Sequence, residues 1–184
     1  MAKDGRRDAA QVLANGGVFV LPPYVTGVDG RWYTGTANAI YQNREFVDQY
    51  DPDNVLILSG DHIYKMNYMS MLQYHQDMKA DLTVGVLRVS PQEGTQFGIV
   101  QVDTENKIVG FQEKPENPRT IPGDDAHCLG SMGIYVFTAR FLFEQLCRDA
   151  TKAGSRHDFG RNIIPEVIGF KLSGKLKSGV TATD

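Results

Sequence analysis

Two hydrophobic periods alternate down the chain, one of about two residues and one of about 3.6. Gly17 to Leu21 is a short apolar run closed by Pro22-Pro23, which predicts a strand stopped by a loop. After the Asp29-Gly30 turn, Thr36 stands where it can cap a helix. Ala37, Ile40, Tyr41 and Val47 share one face of that helix, and Asp51-Pro52 ends it. Val55 to Ser59 is a continuous apolar strand, of the kind buried on both sides in a parallel sheet, and Gly60-Asp61-His62 is its sharp exit. Asn67 caps a second helix, with Tyr68, Met71, Leu72, His75 and Met78 in one stripe. Leu82 to Val89 is the next strand. Gly98 to Val102 and Ile108 to Phe111 form a hairpin across Asp103 to Lys107. Pro115 to Gly123 is a loop, and Met132 to Phe137 is a strand. A helix follows with Ala139, Leu142, Phe143 and Leu146 inward, and Phe159 to Ile168 is a shorter helical segment broken by Pro165.

Strand–helix–strand–helix order with one hairpin insertion predicts an α/β fold on a mostly parallel, mixed sheet. Ligands of such sheets sit outside the carboxyl ends of the strands. That rule directs attention to Ser59-Gly60-Asp61. The 184 residues are 41% hydrophobic, enough for one ordinary core. Lys+Arg is 19 and Asp+Glu is 22, a net charge of -3, which argues against a broad basic footprint for nucleic acid or an anionic membrane. No apolar run approaches the roughly 18 residues of a membrane span. Cys128 and Cys147 form no C-x-x-C and read as free thiols in a reducing cytoplasm. The first 14 residues carry Lys3, Asp4, Arg6, Arg7 and Asp8 and no apolar core, unlike a secretory signal.

Several positions could carry chemistry. Asp61 follows a strand and Gly60, where a carboxylate can ligate Mg²⁺; a turn or helix-cap aspartate is the alternative. In Glu113-Lys114-Pro115, the glutamate can accept from sugar hydroxyls and the lysine is a point charge for a phosphate. Neighbours on a strand face opposite ways, so joint use of the two needs a bend; a solvated edge pair is the alternative. Ser131-Met132-Gly133 opens a strand with small residues that leave room for a ligand or simply pack. Trp32 and Tyr33 stand before a helix start, where they can stack on a sugar or base or act as a hydrophobic staple. His62, His75, His127 and His157 show no ligand spacing, and His75 on an apolar face reads as a core histidine. Ser59 has no nucleophile-elbow pattern.

Together these segments resemble the bacterial glucose-1-phosphate adenylyltransferase (ADP-glucose pyrophosphorylase) family. The blocks are Trp32 to Asn43 (WYTGTANAIYQN), Val55 to Tyr68 (VLILSGDHIYKMNY), Phe97-Gly98-Ile99, Phe111 to Pro115 (FQEKP), Ser131 to Phe137 (SMGIYVF) and His157 to Gly160 (HDFG), in the family's order. The resemblance implies a Rossmann-like nucleotidyltransferase domain that joins ATP and glucose 1-phosphate into ADP-glucose and pyrophosphate with Mg²⁺. It also implies glycogen or starch biosynthesis, a cytoplasmic location and a tetrameric assembly. It assigns Asp61 as the metal-binding catalytic aspartate, and Tyr33, Gly98, Glu113, Lys114 and Ser131 as glucose 1-phosphate contacts.

The family's glycine-rich nucleotide loop, second metal-binding aspartate and β-helix domain have no counterpart here. Residues 1–15 read as an unmatched tail, 16–168 as an incomplete catalytic domain and 169–184 as an unmatched polar tail. The expectation is a chain that does not turn over by itself. A non-catalytic sugar-phosphate-binding or subunit-interaction module, or another sugar-phosphate nucleotidyltransferase, stays open as an alternative.

Overall fold

The computed structural model describes residues 17–23, 32–60, 66–171 and 178–182. Met1–Trp32 and Tyr33–Asp184 are separate units, each taken by itself. Within the second unit, two short helices, α1 (Thr36–Gln42) and α2 (Arg44–Asp48), precede strand β1 (Asn54–Ile57). Helix α3 (Tyr68–Asp77), strand β2 (Leu82–Val89) and the single turn α4 (Pro91–Gly94) follow. The hairpin is β3 (Gly98–Val102) and β4 (Ile108–Glu113). Then come the long strand β5 (Cys128–Thr138), helix α5 (Ala139–Ala150), a π-helical turn over Phe159–Ile163, helix α6 (Ile164–Lys171) and strand β6 (Ser178–Ala182).

One open sheet runs β4-β3-β5-β2-β6, with β1 also on β5. Strand β5 is shared. β2 runs along one edge, while β3 takes the first half of the other edge (Ile99 opposite Gly130) and β1 the second half (Val55 opposite Phe137). Alternate residues of β5 face opposite sides of the sheet. On one side Tyr135 and Phe137 pack with Leu82, Val84, Leu142, Leu146, Ile163 and Ile164. On the other, Ile134 and Val136 pack with Met71 of α3. Both faces are therefore covered by helices, as an α/β fold requires.

The mixed sheet differs from expectation in its direction. Among the described ladders only β2–β6 is parallel; those of β5 with β1, β2 and β3, and that of β3 with β4, are antiparallel. An apolar run signals burial, but the direction of its neighbour is set by the chain path. β1 is likewise not buried on both sides: Leu56 and Leu58 are exposed, and its described partner is β5. Residues 17–21 take no strand geometry, with Val18 and Val20 exposed; β-favouring residues become a strand only when a ladder and burial hold them. The first predicted helix is two, broken at Asn43, and Gly35 rather than Thr36 stands at its N-cap. Pro165 does not break the last helix: it sits in the first turn of α6, directly after the π-helical turn. Helix α6 crosses the expected edge at Ile168, and the polar tail holds β6. Among the described residues, no helix is long and apolar enough to cross a membrane.

Asn67 caps α3 as expected, its side chain accepting from the Met69 N–H at 3.0 Å. His75, on the same helix, is buried, its Nδ1 2.9 Å from Thr83 Oγ1 and its Nε2 3.4 Å from Thr138 Oγ1. Burial pushes its pKa below the ordinary histidine value, and Asp81 opposes this only in part. The folded protein therefore holds this ring neutral at pH values where the unfolded chain takes up a proton. Stability should be complete above about pH 6.5 and fall as pH drops below it, by at most about 1.4 kcal/mol per pH unit. Urea unfolding between pH 5 and 8 tests this. His75→Gln should flatten that part of the curve, and an unchanged slope would remove His75 as its cause.

Candidate active site

A cleft of about 200 Å³ opens at the carboxyl ends of β1 and β4. It is lined by Ile57, Leu58 and Ser59 from the end of β1, Glu113 from the end of β4, and Gly133 and Tyr135 from β5. Thr36 at the start of α1 and Asp158, Phe159 and Gly160 complete it. Its volume is below the roughly 300–1,000 Å³ of clefts that take drug-sized ligands, so it suits a small one.

A bulge in β5 shapes the floor. Gly85 pairs with Ile134 but Val86 pairs with Ser131, which leaves Met132 and Gly133 without partners on β2. Gly133 has φ +69°, a conformation that glycine adopts without strain. A methyl group on it would lie 3.2 Å from the Ser59 Cβ, so the bulge brings β5 close to the exit of β1. The Gly133 N–H donates to Ser131 Oγ at 3.3 Å, and Ser131 thereby helps to hold the bulge.

The opposite wall is a loop docked on a helix start. The His157 carbonyl accepts from the Ala37 and Asn38 N–H groups at 2.9 and 3.2 Å, two of the amides that a helix N-terminus leaves unpaired. Thr36 Oγ1 donates to Asp158 Oδ2 at 3.1 Å and accepts from the Phe159 N–H at 3.1 Å. Asp158 Oδ1 accepts from the Arg161 N–H at 2.9 Å and caps the π-helical turn. Gly35 is required at the seam: a side chain there would run into the carbonyl oxygens of Arg156 and His157.

Two carboxylates converge beside an aromatic wall. The Cβ position of Gly160 is 2.8 Å from Glu113 Oε2 and 3.5 Å from Asp158 Oδ1. Tyr135 and Phe159 stack at 5.7 Å between ring centroids. Two acceptors over an apolar surface are the equipment for a polyhydroxylated ring. No Lys or Arg is among the described lining residues, so this part of the cleft is acidic.

The residues singled out in the sequence are disposed unequally. Glu113 lines the cleft, with Gly98 directly across the β3–β4 ladder. Lys114 supplies the bend that joint use with Glu113 requires: its φ is +46° and its N–H donates to the Phe97 carbonyl at 3.1 Å. Its side chain is exposed. Ser131 flanks the bulge. Tyr33 is not among the lining residues, and its hydroxyl accepts from Asn43 Nδ2 at 2.8 Å. Asp61 lies outside the described residues. Thr36, Tyr135, Asp158, Phe159 and Gly160 were not singled out as site residues. All five lie within the motif blocks of the sequence, and Thr36 and Asp158 also carry a local signal, each a capping residue type at the start of a helical segment. Among the described residues, no group of three or more His, Cys, Asp or Glu could hold a metal ion.

A model of the nucleotidyl transferase family matches residues 10–174. A glucose-1-phosphate adenylyltransferase from Rhodopirellula baltica is 58% identical over 151 residues, 82% of this chain and 34% of that protein. One from Clostridium acetobutylicum is 50% identical over 157 residues, 85% of this chain and 40% of that protein. One from Mesorhizobium japonicum is 49% identical over 149 residues, 81% and 35% respectively. The chain thus spans little more than a third of the length of these curated relatives.

Gly35→Ala tests the docked wall. Overpacking against backbone that cannot retreat should lower unfolding free energy by about 2–3 kcal/mol, read by urea titration. A loss under about 0.5 kcal/mol, the usual range of neutral surface changes, would mean that α1 is not packed on the His157 loop as described.

Proposed function

The chain belongs to the nucleotidyl transferase family, and from that premise we propose that it forms the sugar-phosphate side of a glucose-1-phosphate adenylyltransferase. The reaction is attack by a phosphate oxygen of glucose 1-phosphate on the α-phosphorus of ATP. A new P–O bond forms, the bond to the β,γ-pyrophosphate breaks, and ADP-glucose and pyrophosphate are the products. No covalent enzyme intermediate is needed, so the protein's task is to align the reactants and to balance charge.

The observation that carries this reading is the convergence of Glu113 and Asp158 beside Tyr135 and Phe159. In this reading the two carboxylates accept hydrogen bonds from glucose hydroxyls. The aromatic pair lies under the apolar face of the ring. Thr36 fixes Asp158, and the bulge at Met132 and Gly133 forms the floor on which the sugar rests. The Lys114 ammonium, next to Glu113 at the same strand end, pairs with the phosphate. Gly98, across from Glu113, serves the sugar indirectly: a side chain there would run into the Phe111 ring and the Glu113 carboxylate, so glycine leaves Glu113 its place at the cleft. Tyr33 precedes α1 and is tied by its hydroxyl to Asn43 at the helix's far end.

Asp61 follows Ser59 and Gly60 at the exit of β1, and it would hold a divalent cation, Mg²⁺ in this reading. A small set of protein oxygens fits that ion, which binds through one or two carboxylates and completes its shell with substrate phosphates and water. When bound, the ion neutralises charge developing on the leaving pyrophosphate. The described lining has acceptors for a sugar but no cations for a triphosphate, so nucleotide binding falls to other parts of the protein.

Isothermal calorimetry on residues 1–184 tests the reading. Glucose 1-phosphate should bind, and Glu113→Gln and Asp158→Asn should each weaken it about tenfold or more, about 1.4 kcal/mol, as expected for lost hydrogen bonds to charged acceptors. A pyrophosphate-release assay with ATP, glucose 1-phosphate and Mg²⁺ should detect no turnover by this chain. Unchanged sugar-phosphate affinity in both variants would sink the assignment.

A further inference from the structure

Asp149 is in the wrong place for the helix that carries it. It sits in the last turn of α5, where the helix dipole opposes a negative charge, and only 3% of it is exposed. A buried carboxylate persists only where its oxygens are satisfied. Both are, and by one short segment. Ser155 Oγ donates to Oδ1 at 2.6 Å, and His157 Nδ1 lies 2.7 Å from Oδ2. A carboxylate only accepts, so Nδ1 carries the proton and the ring's tautomer is set. Ser155 Oγ in turn accepts from the His157 N–H at 3.0 Å. His157 itself is held at φ +51°, in the left-handed region that a residue with a Cβ enters at a steric cost.

That conformation has a consequence for the cleft. It turns the His157 carbonyl onto the Ala37 and Asn38 N–H groups, and the next residue, Asp158, enters the cleft with Thr36 and the Phe159 N–H around it. We propose that Asp149 is a positioning residue: through Ser155 and His157 it sets the docked loop, and so fixes where the Asp158 carboxylate meets the ligand. It touches none of the cleft itself, and its effect on ligand binding rests on the reading of that cleft as a sugar-phosphate site.

The test has two arms on residues 1–184. In the first, amide hydrogen exchange is followed by NMR without ligand in the parent, Asp149→Ala, Asp149→Asn and His157→Gln. Asp149→Ala should speed exchange at Ala37, Asn38 and Phe159 at least tenfold more than at Val84 and Val136 of the central strands. Asp149→Asn keeps an acceptor for His157 and should stay within about threefold of the parent. Equal acceleration at all five amides would show a merely structural role and overturn the proposal. If Asp149→Ala does not fold, His157→Gln carries the same comparison. In the second arm, glucose 1-phosphate titrations should show at least tenfold weaker binding for Asp149→Ala and near-parent binding for Asp149→Asn. Loosened amides with unchanged affinity would also overturn the proposal. A parent chain that binds no glucose 1-phosphate, with the expected exchange pattern, would refute the sugar-phosphate reading and leave the positioning of the loop by Asp149 supported.

Discussion

The backbone of Cys128–Thr138 is hydrogen-bonded along both edges, and the arrangement of the other strands follows from it. Eleven residues are long enough for two different strands to share one edge, β3 near the beginning and β1 near the end. The carboxyl ends of β1 and β4 meet at the gap between them, beside the bulge at Met132-Gly133. A bulge bends a strand and re-aims its side chains. Here it brings Gly133 against Ser59 and points Tyr135 toward Phe159. The cleft is thus a product of sheet geometry before any of its polar groups is considered.

Its second wall has a different origin. Thr36 and Asp158 are 122 residues apart in sequence, and they meet because a carbonyl of one segment satisfies the helix start of the other. Amides at a helix N-terminus must find acceptors when they are not in water. The His157 loop supplies them, with Gly35 keeping the approach open. The same contact that completes α1 therefore carries the Asp158 carboxylate into the cleft. Stability and site geometry are coupled through this one contact.

The buried polar groups fall into two kinds. His75 sits between Thr83 and Thr138 in the core, neutral and bonded, and joins α3 to the sheet. Asp149 is just as buried but faces a loop rather than a strand, and its bonds go to Ser155 and His157. A buried polar residue without partners is costly, so each marks a place where the fold is specified closely. One holds a helix to its sheet; the other holds a loop to the cleft.

The sequence by itself determined the order of the central elements, from β1 to α5, and the lineage. Local period and turn residues place β2, the β3–β4 hairpin, α3 with its Asn67 cap and α5, because those signals act within a few residues. Six ordered blocks carry the resemblance, and the nucleotidyl transferase model matching residues 10–174 bears out the family at that breadth. The chain path decided what those signals cannot express. Strand direction depends on which neighbour pairs, so the apolar run of β1 became an antiparallel, half-exposed strand rather than a buried parallel one. Residues 17–21 have β-favouring side chains and no strand, and the polar tail has a strand where none was expected. The convergence of Glu113 with Asp158, the bend at Lys114 and the loop held by Asp149 arise from contacts between distant segments. Such contacts leave no periodic trace in the sequence, because hydrogen bonding and close packing act through space.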